Sequence, residues 1–135
     1  MKVHSCSVQE VPDKIYEQLY TLNHGSIGLM RPVLVHLKLN DCQLLSNGTV
    51  AYVEEHGTIR GWGLVFDVID QGVKQRLQYL YVSNVHRGKG IGTALAQFGS
   101  ENNPGLKGHT EYSSCFARAG INQANDHYMQ TLRYA

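Results

Sequence analysis

The alternation of apolar and polar positions changes period several times along the chain, and each change marks an element. Val3 to Val8 reads as a short first strand. Pro12 stands at a plausible first helical position, Ile15, Leu19 and Leu22 follow at helical spacing, and His24-Gly25 supplies a stop. Residues 33–45 satisfy two periods. Val33, Val35, Leu37 and Leu39 alternate like a strand, whereas Leu34, Leu37 and Leu44 suit a helix, which we assign there. Thr49–Glu54 and Thr58–Ile69 are β-rich runs joined by Glu55-His56-Gly57, the pattern of a hairpin. Asp70-Gln71-Gly72 turns the chain again into a strand over Lys74–Val82. Ile91, Ala94, Leu95 and Phe98 then share one helix face, which Asn102-Asn103-Pro104-Gly105 ends. His109–Phe116 reads as a strand and Asn122–Arg133 as a closing helix. The order predicts an α/β (α+β) fold: a mixed, mostly antiparallel sheet flanked by helices.

Length and charge narrow the classes. At 135 residues, with no repeat, linker or low-complexity tract, residues 1–135 are expected to form one domain with a core of its own. A net charge of +1 with scattered Lys and Arg gives no footprint for nucleic acid or an anionic membrane surface, so neither is expected as a partner. No apolar run approaches the roughly 18 residues needed to span a bilayer. The N-terminus lacks the apolar stretch of a signal peptide. Cys6, Cys42 and Cys115 are far apart and odd in number, which argues against a disulfide framework and for a reducing compartment, the cytoplasm. The seven histidines form neither HExxH nor a Cys/His pair at zinc-finger spacing, and no metal site is expected.

The informative stretch is YLYVSNVHRGKGIGTALAQF, residues 79–98, where an amphipathic helix begins among glycines. Glycine is a poor helix former, so something other than local stability favours it there. A helix N-terminus presents unpaired N–H groups and the positive end of the helix dipole, and glycines before it remove the Cβ atoms that would hold an anion away. The alternative is that Gly88, Gly90 and Gly92 only permit a tight turn and close helix–sheet packing. A Walker loop needs Ser or Thr after the lysine, and Lys89 is followed by Gly90. A Rossmann fingerprint needs glycine where Leu95 stands.

Arg87-Gly88-Lys89-Gly90-Ile91-Gly92 fits the Arg/Gln-x-x-Gly-x-Gly/Ala pattern of the GNAT superfamily of acyl-CoA-dependent N-acetyltransferases. LQYLYVSNV resembles that family's fourth strand, and TVAYVEEHGTIRGWGLVF its second and third. The resemblance covers about residues 49–134. It implies acetyl-CoA as acyl donor, its pyrophosphate held by backbone amides from Gly88 through Thr93 (Gly88, Lys89, Gly90, Ile91, Gly92, Thr93), with added charge from Arg87 and Lys89. The pantetheine arm would run along Leu80, Tyr81 and Val82 as an extra strand does, with the amide of Val82 or its neighbour polarising the thioester carbonyl. Tyr128, four residues after Ala124, is the implied general acid, and Asn122 resembles an asparagine that contacts the cofactor arm.

Two departures qualify that picture. No carboxylate lies between Leu77 and Val85, which leaves Glu54, Glu55, Asp67, Glu111 or His109 as alternatives for the base. The sequence ends at Ala135, and Leu132-Arg133-Tyr134 replaces the usual Gly-aromatic pair. Strands missing there would expose a sheet edge, which suits either a homodimer or an open acceptor site. The expected activity is acetyl transfer to an unknown primary amine by direct attack. The competing expectation is a catalytically inactive GNAT-like module that binds acyl-CoA or a protein. Cys115 has no identifiable His partner and reads as a structural thiol rather than a nucleophile.

Overall fold

The computed structural model describes residues 1–22, 47–70, 72–108 and 113–123. Strand β1 (Val3–Ser7) runs into a 3₁₀ turn, Val8–Glu10, where the Ser7 hydroxyl accepts from the Gln9 amide at 3.3 Å. Helix α1 (Asp13–Leu22) follows, with Asp13 in its positive first turn. Pro12 precedes the helix rather than opening it, and its carbonyl accepts the Tyr16 amide at 3.0 Å. Next come β2 (Thr49–Glu55), β3 (Thr58–Asp70) and β4 (Val73–Val82), then α2 (Ile91–Asn102), β5 (Lys107–Gly108), α3 (Ser113–Arg118) and β6 (Asn122–Gln123). The helix assigned to residues 33–45 and most of the closing helix, Tyr128 included, lie outside the described residues.

The strands form one sheet in the order β1-β2-β3-β4-β5-β6. The first four are antiparallel, and β5 and β6 join in parallel. His56 (φ 53°) and Gly57 (φ 79°) close the β2–β3 hairpin with two left-handed residues, the backbone that a two-residue turn between right-twisted strands requires. Both faces of the sheet are covered, so β3 and β4 look continuously apolar although their side chains alternate. Trp62, Leu64, Phe66, Leu77 and Tyr79 pack with Leu19 of α1 on one face. Val65, Leu80 and Val82 pack with Ile91, Leu95 and Phe116 on the other, against α2 and α3. Among the described residues no helix is long and apolar enough to cross a membrane.

The C-terminal part corrects the strand expected over His109–Phe116: residues 113–118 are helical, and the strand is the shorter β5 just before. The helix is fixed by its ending rather than its propensity. Gly120 (φ 73°) takes the left-handed position, the Ile121 amide reaches back to the Phe116 carbonyl at 2.9 Å, and the Gly120 amide bonds the Ala117 carbonyl at 3.1 Å. These two bonds are a Schellman stop, and Phe116 and Ile121 supply the apolar contact that accompanies it. Likewise Asn122 and Gln123, expected to open a helix, form β6 beside β5.

Phe116 is fully buried and sits on Gly108, where an added Cβ would lie within 2.5 Å of three atoms of the phenyl ring. Gly108→Ala is therefore expected to cost about 1–3 kcal/mol through overpacking. Urea denaturation checks this, and an unchanged midpoint would show that α3 can slide away from β5.

Candidate functional site

The site is built where β4 hands over to α2. After Val82 the Ser83 amide donates to the Arg60 carbonyl at 3.1 Å, which keeps the chain on the sheet for one more residue. A 3₁₀ turn, Asn84–His86, then reverses it, with the His86 amide on the Ser83 carbonyl at 2.9 Å. Gly88 (φ 78°) and Gly90 (φ 84°) both take left-handed backbone, and Gly90 is the N-cap of α2. An L-residue there costs roughly 1–2 kcal/mol. No side chain caps the helix, whose first internal bond runs from the Ala94 amide to the Gly90 carbonyl at 3.0 Å. The amides of Ile91, Gly92 and Thr93 thus precede the first intrahelical donor, Ala94, and carry the positive end of the dipole.

The three glycines divide the two roles that the sequence left open. A Cβ added at Gly88 or Gly90 would meet nothing within 4 Å, so these positions lie under open space. A Cβ at Gly92 would lie 2.6 Å from the Cys115 sulfur, so this glycine lets α3 pack on α2.

A cleft of 260 Å³ opens over this turn. It brings together Val82, Arg87, Gly88, Gly90, Ile91, Gly92 and Thr93 of the expected cofactor residues. Lys89 is exposed beside it without lining it. Leu80 is buried in the core under α2, Tyr81 is half-buried and packs on the α1 side of the sheet, and Asn122 is exposed on β6. The structure adds three lining residues that the sequence reading had not placed there: His86, Cys115 and Arg118. The signal for the last two was the Arg118-Ala119-Gly120 helix ending, which marks residues 113–118 as a helix returning to the glycines. No acidic residue lines the cleft among the described residues.

Its charges are anchored. The Arg87 Nε donates to the Val82 carbonyl at 3.0 Å, and its guanidinium lies 5.9 Å from the centre of the Tyr81 ring. His86 Nε2 lies 2.8 Å from Arg60 Nη1. Arginine only donates, so Nε2 is the acceptor and the neutral ring carries its proton on Nδ1. Desolvation, then the Arg60 and Lys89 cations, hold the His86 pKa below its ordinary 6.5, against an opposing pull from Glu55. Asp67, one of the candidate bases, is instead 2.9 Å from Arg76 Nη1 and 3.3 Å from Lys74 Nζ, toward the end of β4 away from Val82. Glu54 and Glu55 are exposed at the β2–β3 turn, and His109 and Glu111 fall outside the described residues.

A second, larger cavity of 650 Å³ lies on the α1 face, lined by Lys14, Glu17, Gln18 and Thr21 of α1, by Thr58 and Ile59 of β3, and by Ser83. The Gln18 side-chain oxygen accepts the Ile59 amide at 3.1 Å and ties α1 to the start of β3. Val82 lines the first cavity and Ser83 the second, so the two approach the end of β4 from opposite faces of the sheet.

No protein-family model matches the sequence, and no curated protein does. Solved structures match at full length. Ribosomal-protein-alanine N-acetyltransferase from Brucella melitensis biovar Abortus 2308 aligns over 93% of this chain and 94% of its own, with TM-score 0.57 and 17% identity. Glucosamine-6-phosphate N-acetyltransferase from Arabidopsis thaliana aligns over 92% of each chain, with TM-score 0.58 and 15% identity. A predicted acetyltransferase from Clostridium acetobutylicum, solved with acetyl-CoA, aligns over 93% of this chain and 92% of its own, with TM-score 0.58 and 13% identity. The chain has the GNAT acetyltransferase fold, the one its glycine motif resembles.

The Arg60–His86 contact gives the site a pH signature. A histidine whose pKa is lowered by folding binds protons more readily when unfolded, so its contribution is complete above the unfolded value of 6.5 and is lost as the pH falls from there through the lower folded value. The thermal midpoint of His86→Gln should therefore fall less steeply between pH 8 and pH 5 than that of the parent chain. Parallel profiles would place His86 outside the Arg60 field.

Proposed function

We propose that the chain is an N-acetyltransferase that moves an acetyl group from acetyl-CoA to a primary amine of a protein or small molecule by direct attack. One observation carries this reading: the uncapped first turn of α2 opens through left-handed Gly90 into a cleft without acidic side chains among the described residues, at the very end of β4. Amides from Gly88 to Thr93 suit a diphosphate there, and Arg87, Lys89 and Arg118 add charge around it. The pantetheine arm follows Leu80, Tyr81 and Val82 toward the end of the strand. Asn122 remains a proposed contact for the arm.

The amine enters from the α1 side, where the cavity beside Ser83 offers the Glu17 carboxylate to an incoming ammonium. Once deprotonated, its nitrogen attacks the thioester carbonyl carbon. The carbonyl oxygen takes up negative charge beside the Val82 amide, the nitrogen gives up its surplus proton to water, and the carbon–sulfur bond then breaks to give the amide and a thiolate. Tyr128 is the proposed acid that protonates the thiolate. The free thiols of Cys6 and Cys115 suit a cytoplasmic setting.

A second reading, an acyl-CoA- or protein-binding module without turnover, is favoured by the makeup of the cleft. Its described lining offers Cys115 and Arg118 from α3 but neither a carboxylate nor a tyrosine. Calorimetric titration with acetyl-CoA, coenzyme A and ATP tests what both readings share. Micromolar binding of the first two but not ATP is expected, with Gly90→Val weakening it at least tenfold in a folded chain. Normal binding by that variant would overturn the cradle. Coenzyme A release with amines then separates the two: turnover lost in Tyr128→Phe supports the enzyme, and no release with any amine supports the module.

A further inference from the structure

Strand β3 is irregular at the end that meets the glycine turn. Val53 of β2 pairs with Gly61 and the next residue, Glu54, pairs with Ile59, so Arg60 has no partner on β2 and is the extra residue of a β-bulge. The bulge breaks the alternation of faces. Ile59 packs in the cluster on the α1 side, whereas a Cβ at Gly61 would lie 2.8 Å from the Ile91 side chain, on the α2 side. In a regular strand those two residues would share a face. Bulges re-aim side chains, often beside functional sites, and the residue inserted here is an arginine.

Arg60 grips the turn twice. Its carbonyl accepts the Ser83 amide at 3.1 Å, and its Nη1 donates to His86 Nε2 at 2.8 Å. Among the described residues its Nε is buried without a partner and no carboxylate pairs with it. An arginine withheld from opposite charge and turned onto a histidine adds little stability, because it makes the ring less basic and neutralises nothing. What it does define is the ring's chemistry. With Nε2 occupied as an acceptor, the one proton of the neutral imidazole sits on Nδ1, which has no partner among the described residues. His86 lines the same cleft as Arg87, Gly88, Gly90 and Arg118.

We propose that Arg60 is a positioning residue for this cleft: it holds His86 as a neutral ring with its proton on Nδ1, and that N–H donates to a phosphate oxygen of the ligand bound over the glycines. The inference rests on the proposed coenzyme A site but on no step of acetyl transfer. The surroundings fit a neutral donor. Desolvation and the Arg60 and Lys89 cations disfavour a second ring proton, Arg87 and Arg118 line the same cleft, and Glu55 at the end of β2 pulls the other way. A bound diphosphate attracts a second proton to the ring, and Arg60, by filling Nε2, denies it a place. The neutral N–H thus adds a directed hydrogen bond without crowding another like charge among the cations.

The test combines nitrogen–proton correlation spectra of the imidazole rings with calorimetry, both on the whole chain and with coenzyme A as probe. The His86 signal is identified among those of the seven histidines by its absence in His86→Asn. At pH 7 it is expected to show a protonated Nδ1 and an unprotonated Nε2, and saturating coenzyme A should shift Nδ1 while Nε2 stays unprotonated. His86→Phe should bind coenzyme A about tenfold more weakly, the loss of one hydrogen bond to a charged acceptor. His86→Asn, whose amide nitrogen stands close to where Nδ1 stood, should stay within about threefold of the parent chain. Arg60→Met should weaken binding about three- to tenfold in the parent chain and leave it unchanged in the His86→Phe background, since the arginine acts through the ring. A cation acting at a distance would weaken both backgrounds alike, which would overturn the proposal. So would a proton on Nε2 in either spectrum, or equal losses from His86→Phe and His86→Asn. If Arg60→Met does not fold, the spectra and the two His86 variants still decide. No coenzyme A binding by the parent chain would overturn the glycine cradle and this inference together, whereas tight binding with a proton on Nε2 would overturn this inference alone.

Discussion

The backbone leaving β4 must enter a helix with its first amides uncovered, while that helix still has to be clamped from above. Two backbone requirements meet within five residues. Gly88 and Gly90 answer the first by taking a conformation that side chains avoid, and Gly92 answers the second by vacating the volume the Cys115 sulfur fills. Everything near the cleft depends on this handover. Ser83 is pinned to Arg60, Arg87 folds back onto Val82, and His86 accepts from Arg60, so the turn is fastened to both β3 and β4. The loop is positioned by these ties to the sheet as well as by its own bond from the His86 amide to the Ser83 carbonyl.

The packing of α3 extends the same logic. A six-residue helix is too short to be stable on its own. It is held because Phe116 seats on Gly108, Cys115 seats on Gly92, and Ile121 closes the far side beyond the Gly120 turn. This places Arg118 and Cys115 over the glycine cleft without either residue belonging to the motif. The far end of the sheet is organised by charge instead, where Arg76 joins Asp67, Asn103 and the Asn47 carbonyl. A carboxylate that looked available for proton transfer is therefore committed to holding α2 and the sheet together.

Much of this was legible in the sequence, and the failures share a cause. The meander β2–β3–β4 announced itself through β-branched runs separated by His56-Gly57 and Gly72, and α2 through Ile91, Leu95 and Phe98, because in each case local turn chemistry and burial agree. The glycine turn was legible for the same reason. The strand read into His109–Phe116 failed because Tyr112 and Phe116 look β-like in isolation, while the deciding signal, Gly120 as a helix stop, lies after them. Asn122 then became a helix start because its predecessor had been misassigned. His86 and Arg118 were missed because their place in the cleft depends on partners 26 residues away, in one case, and on the return of α3 in the other. Tertiary contact, not composition, brought them in.

Chirality separates the two uses of glycine at the handover. At residue 90 the objection to a side chain is one of handedness, since the backbone sits at φ 84° and the space around an added methyl group is empty. A D-alanine built in by chemical synthesis would keep that backbone without strain, because a mirror-image residue prefers the left-handed well. At residue 92 the objection is volume, since an L side chain would meet the Cys115 sulfur whatever its backbone preference. Two adjacent turns of the same motif thus ask for the same amino acid on stereochemically unrelated grounds. One position refuses an L side chain for its handedness, and the other refuses it for its volume.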